Sequence, residues 1–437
     1  MGSGGGRPGE IGRRGTRRPY NAATGVPAHA QYRCAQAAGP ASSRRQPVPE
    51  AGPVTMPDFT ALIIGCGTMG SATARLVSED ARFKQIVVAD RDLRRAELLA
   101  RSLEGPATAI ELDCRRDDQV LHSLTGISVV LNTTGPFSRD TLSLMRTVIE
   151  AGVPYADIND DVETLQSVFE SEYLDSLAKH RGVGVLPGLG ASPGQTNVLA
   201  RHLAGRMDSV EEVRFFMVND ATYRSEAVWR HRLALFGEPA LLYDCGRWTQ
   251  VPAMLEFQDV AFPAPWGSIR CYTVGLETVS IPQSLKGLRH ASLWRGFSDP
   301  ATTSMLKTLI DAGLASQEPL EVGGVSLTPA AMTAAVLAKM QPGEDGREPG
   351  RLPRQVRVKG FRGGGPAELT MTYSFPPGDI ALATASCLVV GAGLLVDREL
   401  PSPGVFPPEA MDPAPFMWDM ESRGVHFRLE DSASTRT

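Results

Sequence analysis

Gly65-Cys66-Gly67-Thr68-Met69-Gly70 stands directly after the apolar run at 61–64 and opens a stretch of helical periodicity. A G-x-G-x-x-G string in that position constrains this chain more than any other feature, because it has meaning only where a strand feeds a helix inside a βαβ unit. The three glycines serve different ends. Gly65 makes the tight turn, Gly67 lets the backbone approach a pyrophosphate, and Gly70 lets helix and strand pack closely. The helix start, with Thr68 and Met69 in its first turn, offers unpaired N–H groups and the positive end of the dipole to phosphate.

The following strand, 85–90, ends on Asp90, twenty residues past Gly70, the spacing at which an acid meets the adenosine ribose hydroxyls. An acid there favours NAD, since a 2′-phosphate meets a like charge at close range. Arg91 beside it, with Arg94 and Arg95 one helical turn on, offers that phosphate a counter-charge and keeps NADP open as the alternative.

Apolar runs at 107–112, 128–135, 153–158 and 182–188 continue the series. Helical periodicity separates them at 70–78, 92–103, 117–124, 138–151 and 161–180. This alternation predicts an α/β fold, a Rossmann doubly wound parallel sheet over 56–190, with ligands beyond the carboxyl ends of its strands. Asp113 after the third strand then faces the adenine region, and Asn132, Thr133 and Gly135 after the fourth lie along the nicotinamide ribose. Tyr155 and Asp157 sit in the fifth. Ser192-Pro193 reads as an N-cap with proline at the first helical position, opening a helix to about Leu203.

Strand-like segments at 211–218, 267–275, 354–361 and 367–375 lack the βα rhythm and predict a second, mixed α/β substrate domain over 191–380. Residues 381–437 are expected to return as C-terminal helices to the first domain. The prolines of 400–413 argue against regular structure there. Residues 1–55 hold eight Arg, no Lys and two acids without apolar periodicity, which predicts a disordered basic leader.

From Met56 onward, 36 Lys and Arg face 47 Asp and Glu, a net of −11, which argues against a nucleic-acid partner and for a small-molecule substrate. Cysteines 34, 66, 114, 245, 271 and 387 form neither a zinc spacing nor a disulfide framework, so no metal is expected and a reducing cytoplasm is. The longest apolar stretch, 380–396, is too short for a bilayer and reads as a buried helix, with no membrane partner.

The strings GCGTMG, VVAD followed by Arg91, LNTTGPF (131–137), YADIND (155–160), LPGLGASPGQTN (186–197), VGLETVSIP (274–282) and PGVFPPEAM (403–411) together resemble the saccharopine dehydrogenase family, including its lysine 6-dehydrogenase-like members. That resemblance implies a Rossmann domain with an inserted substrate domain. It also implies hydride transfer between a nicotinamide cofactor and the C–N carbon of an amino acid or its imine. The chain departs from the family where Gly275-Leu276-Glu277-Thr278 and Ile281-Pro282-Gln283 replace a His-containing and an Arg-containing string, while Glu277 and Pro282 persist.

Such chemistry leaves an iminium ion, so it needs a charge-stabilising carboxylate, an acid/base group and a handle for the substrate carboxylate. Glu277 leads for the first, with Tyr155 and Asp160 as further candidates, although Asp160 and Asp161 equally suit a helix cap. Arg224, Arg230, His231 and Arg232 form the densest basic group; a solvated helix face explains them as well. A catalytically silent NAD(P)-binding sensor on the same fold is the competing expectation, and a homodimer is one admissible assembly.

Overall fold

Four residues of β1 (Phe59–Ile64) are shut away from water on both sides, Ala61 and Ile63 against one helical layer and Leu62 and Ile64 against the other. A continuous apolar run rather than an alternating one is the form a strand takes when both faces of its sheet are covered. This computed structural model describes Met1 and residues 58–135, 137, 139–219, 226–276, 278–339, 351–376, 380–400 and 402–432. The leader 2–55 lies outside the described residues.

After β1 come α1 (Thr68–Glu79), β2 (Phe83–Asp90), α2 (Leu93–Arg101), β3 (Ala107–Glu111), α3 (Asp117–Ser123), β4 (Val129–Asn132), α4 (Arg139–Glu150) and β5 (Tyr155–Asp157). Then follow α5 (Val162–Phe169), α6 (Glu172–Arg181), β6 (Gly184–Leu186) and α7 (Gln195–Ala204). The strands form a parallel sheet in the order β6-β5-β4-β1-β2-β3, the doubly wound order whose reversal between β1 and β4 opens a crevice at their carboxyl ends.

The second sheet is built from β7 (Ser209–Asn219), β8 (Ala240–Asp244), β9 (Arg247–Val251), β10 (Phe257–Phe262), β11 (Gly267–Val274) and β12 (His290–Phe297), interrupted by α8 (Glu226–Gly237) and the short α9 (Ile281–Ser284). Beyond α10 (Pro300–Asp311), the hairpin β13 (Leu320–Val322) and β14 (Val325–Leu327), and α11 (Pro329–Leu337), it is completed by β15 (Pro353–Arg362) and β16 (Gly365–Ser374). Strand β7 runs parallel to β12 and antiparallel to β15, so the sheet is mixed as expected. The chain ends with α12 (Ile380–Val396), β17 (Gly404–Val405), a 3₁₀ turn at Pro408–Ala410, α13 (Pro413–Ser422) and β18 (His426–Asp431).

Helix α12 is buried against α1 in the core that runs on to one face of the second sheet, and no helix among the described residues is long and apolar enough to cross a membrane.

Three local expectations need correction. The single helix over 161–180 is two, because Ser171 Oγ accepts from the Leu174 N–H at 3.2 Å and starts α6 afresh. Helix α7 begins at Gln195, not at Pro193: Gly194 is the cap at φ 117°, its N–H donating to Asn197 Oδ1 at 3.1 Å, and the Ser192-Pro193 peptide is cis. The proline-rich segment is not without regular structure. Gly404 and Phe406, which keep their N–H groups, donate to Val183 and Val185 carbonyls and add β17 to the first sheet beside β6. Strand β18 joins the second sheet beside β16, so the C-terminal segment serves both sheets.

Candidate functional site

Carboxyl ends of β1, β2, β3 and β4 meet at a cleft of about 480 Å³ lined by Gly65, Gly67, Asp90, Arg91, Arg95, Asp113, Arg115, Thr133, Thr134 and Gly135. The glycine loop has the geometry its sequence implied. Gly65 turns at φ 100°, a conformation for which a side chain is unsuited, and a Cβ on it would stand 3.0 Å from the Thr134 nitrogen. A Cβ on Gly70 would lie 1.7 Å from the Gly65 carbonyl oxygen. At Gly67 a Cβ would meet nothing within 4 Å, so the space in front of it is open to a ligand. No side chain caps α1 there, and the N–H groups of Thr68 and Met69 stand at the helix end with the dipole that favours an anion.

The loop after β4 is fastened to this turn. Thr133 donates its N–H to the Ile64 carbonyl at 2.9 Å, and its Oγ1 lies 3.0 and 2.9 Å from the Ile64 and Gly65 carbonyls. Asn132 lies beneath the cleft surface: its Oδ1 accepts from the Thr134 N–H at 3.0 Å and the Thr134 hydroxyl at 2.7 Å. Its Nδ2 donates to Tyr155 Oη at 2.9 Å, and Tyr155 Oη donates to Asp157 Oδ2 at 2.9 Å. Asp157 Oδ1 accepts from the Asn159 and Gly188 N–H groups at 3.0 and 2.8 Å. One hydrogen-bonded chain therefore ties the ends of β4, β5 and β6 into a rigid floor.

Burial dominates the electrostatics of that floor. It pushes the Asp157 carboxyl up to about 6 against the pull of the N–H groups it accepts, and burial together with the Asp157 charge drives the Tyr155 phenol well above its usual range. At the open end, Arg115 pairs with Asp113 at 2.6 Å and holds that half-buried carboxyl down to about 2.

Asp90 is more committed than its position alone implied: Oδ2 accepts from the Cys66 N–H at 2.8 Å and Oδ1 from the Asp92 N–H at 3.0 Å. It braces the glycine loop. Arg95 and Arg91 line the same cleft on exposed positions, while Arg94 does not line it. Thr134 belongs to the N-T-T-G-P turn that the sequence placed along the nicotinamide ribose, whereas Cys114 and Arg115 were not singled out, although both follow Asp113 directly.

The two described catalytic candidates stand in different settings. Glu277 lies outside the described residues, Asp160 is exposed, and Tyr155 is fully buried in the floor network. The described members of the basic group, on α8, do not point to one ligand. Arg230 is exposed and pairs with Glu226 at 2.7 Å, and Arg232 is buried with its guanidinium 4.9 Å from the Trp229 ring and 5.1 Å from the Phe297 ring. His231 is exposed, and Arg224 lies outside the described residues.

Residues 61–183 match the family described as the saccharopine dehydrogenase NADP binding domain. Over 388 residues the chain is 22% identical to carboxyaminopropylagmatine dehydrogenase of Synechocystis, covering 83% of this chain and 96% of that protein. Over 406 residues it is 21% identical to carboxynorspermidine synthase of Vibrio cholerae, covering 83% and 95%. Among solved structures, saccharopine dehydrogenase (L-Glu forming) from Saccharomyces cerevisiae superposes with a TM-score of 0.65 at 14% identity, covering 85% of this chain and 99% of that one.

Proposed function

We propose, for a chain that through residues 61–183 belongs to the saccharopine dehydrogenase family and is an NAD(P)-binding oxidoreductase, that its substrate is a carboxylated amine, oxidised at a carbon bearing nitrogen or formed by reducing the matching imine. The observation that carries the cofactor half is the open space in front of Gly67 at the uncapped start of α1. Support for the substrate half comes from the two relatives, both named for carboxylated amines. This broadens the lysine-like or saccharopine-like substrate that the sequence suggested.

When bound, the dinucleotide supplies or takes up the hydride. The chain's own residues do the rest: the N–H groups of α1 and Gly67 hold the pyrophosphate, Asp90, Arg91 and Arg95 meet the adenosine ribose, and Thr133, Thr134 and Gly135 guide the nicotinamide half. In the oxidative direction a C–H bond breaks with its electron pair, the nitrogen lone pair closes a C=N bond, and the nitrogen proton leaves to a base; Glu277 is the candidate to stabilise the cation. In this reading 56–190 is the cofactor domain and 191–380 the substrate domain.

A panel of diamino acids, carboxylated secondary amines and oxo-acid plus amine pairs, followed by NAD(P)H absorbance, tests the proposal. Turnover is expected with a carboxylated amine, and Glu277→Gln is expected to lower kcat about 100-fold with cofactor affinity unchanged. Saturable cofactor binding with no turnover across the panel would instead make the chain a silent NAD(P) binder.

Both dinucleotides are expected to bind within about tenfold of each other, because two arginines oppose the single carboxylate of Asp90 where a 2′-phosphate arrives. The double variant R91A/R95A should lose about tenfold or more in NADP affinity and little in NAD affinity by fluorescence titration. An equal loss for both would remove the arginines from 2′-phosphate recognition.

A further inference from the structure

Arg295 on β12, Met217 on β7, Arg354 on β15 and Tyr373 on β16 are successive cross-strand partners in the second sheet, and cross-strand partners share a face. Met217 and Tyr373 belong to the same core as Cys387 of α12, so this row looks toward the helices that cover the first sheet. Arg354 and Arg295 stand one strand apart, roughly 10 Å between backbones at ~4.8 Å per strand, within reach of one shared ligand at the ends of their flexible stems.

Arg354 is 7% exposed, and its Nε and Nη1 have no acceptor among the described residues. Among those residues no carboxylate pairs with it; burial, reinforced by the like charge of Arg295 and opposed by the Tyr373 hydroxyl, holds its pKa below the usual value. The guanidinium lies 4.8 Å from the Phe375 ring, which shields it on one side. Tyr373 Oη, 1% exposed and close enough to feel the Arg354 charge, completes no hydrogen bond of good geometry. Gln195, the first residue of α7, is wholly buried with both side-chain amide atoms unpartnered. Helix α7 packs on β15 and β16, and the Cys387 thiol feels both the Gln195 backbone and the Arg354 charge, so these buried groups are neighbours where α7 and α12 meet the second sheet.

A cation kept inside a core without a counter-charge costs stability that an apolar residue of the same size would not. Where proteins break such a rule it is characteristically at a functional or strained site.

We propose that Arg354, with Arg295 beside it, seats a carboxylate of the substrate, with the Tyr373 hydroxyl and the Gln195 amide as further donors. A planar carboxylate matches the guanidinium edge through two parallel hydrogen bonds, a match that a lysine or a histidine does not offer. The identity of the molecule that brings the carboxylate rests on the amine oxidoreductase reading above; the anion seat does not.

The test uses the full chain, its R354M and R354K variants, and succinate with its neutral diamide as probes in thermal unfolding. Wild type should gain several degrees with succinate and none with the diamide. R354M should unfold no lower than wild type without succinate and show no response to it, and R354K should respond weakly. In turnover of a carboxylated amine, R354K should raise KM more than tenfold with kcat within a few-fold. A succinate response that survives in R354K or R354M at wild-type strength, or an R354M that loses stability without succinate while R354K keeps the wild-type KM, overturns the seat and leaves Arg354 a packing residue. If no amine turns over yet the succinate response needs Arg354, the seat stands and the amine reading falls. Turnover with a KM indifferent to R354K does the reverse.

Discussion

Gly70→Ala and Gly67→Ala, three residues apart in one loop, are expected to fail in different ways. Alanine at 70 places its Cβ 1.7 Å from the Gly65 carbonyl oxygen and 2.7 Å from Thr133 Oγ1. The obstacle is backbone, which cannot rotate aside, so α1 must lift off β1 and the packing of Ala74 and Val77 beneath it goes with it. A loss of about 3 kcal/mol, the upper end for overpacking, is expected, read as a drop in Tm of roughly 3–4 °C for a chain of this size, together with loss of cofactor binding. At Gly67 the Cβ meets no protein atom within 4 Å and φ is −77°, so the fold should tolerate alanine with Tm unchanged. The methyl group then occupies the space through which a pyrophosphate approaches, and affinity for NAD(P) should fall about 100-fold, or ~2.7 kcal/mol. Unchanged affinity in Gly67→Ala would move the phosphates away from this loop; unchanged stability in Gly70→Ala would mean that α1 is free to shift.

The second large effect is expected at Asp157. Replacing it with alanine leaves the Gly188 and Asn159 N–H groups and the Tyr155 hydroxyl without their acceptor in a fully buried place. At roughly 1–3 kcal/mol for each unsatisfied buried group, partly relieved by relaxation, the loss is on the order of 4 kcal/mol.

Asparagine at 157 is a finer probe. The folded carboxyl titrates at about 6, above its ordinary 3.8, so the folded protein binds this proton more tightly than the unfolded chain does. The resulting stabilisation is complete below about pH 4 and is lost as the pH rises through about 6, worth on the order of 3 kcal/mol at one unit to 1.36 kcal/mol. Asparagine resembles the protonated acid and does not titrate. Wild type minus Asp157→Asn should therefore decline from pH 4 to pH 7 when unfolding is followed in denaturant. A difference that is flat with pH would mean that Asp157 stays ionised throughout.

What the sequence disclosed and what it withheld divide along a physical line. The glycine loop was legible because its constraints are local: a turn at positive φ, a helix end and a close approach each demand a residue type within six positions. Asp90 was found by spacing, but not that Cys66 and Asp92 would bind both its oxygens, since that depends on how a loop folds back over a strand end. The doubly wound sheet followed from periodicity, whereas β17 escaped because two residues between prolines carry no periodic signal and pair only with a strand more than two hundred residues earlier. Arg232 and Arg354 show the limit most clearly. On a helix with other bases Arg232 read as a ligand hand or a solvated face and is instead packed on aromatic rings; Arg354 sits in an ordinary β segment, and only the register across β12, β7 and β15 reveals that it shares a face with another arginine one strand away.

The placement of β17 and β18 has a bearing on how the chain is made. The outermost strand of the parallel sheet and an edge strand of the mixed sheet are both drawn from residues 404–431, while α12, which lies between the layers, precedes them by only a few residues. Synthesis proceeds at about 5–20 residues per second, so both sheets keep an unpaired edge until 404–431 have been made, and α1, seated on β1 and β2, lacks its cover from α12 until 380–396 have been made. Completion of the two halves therefore waits on the same short segment. Until then the exposed strand edges are of the kind that other chains can join.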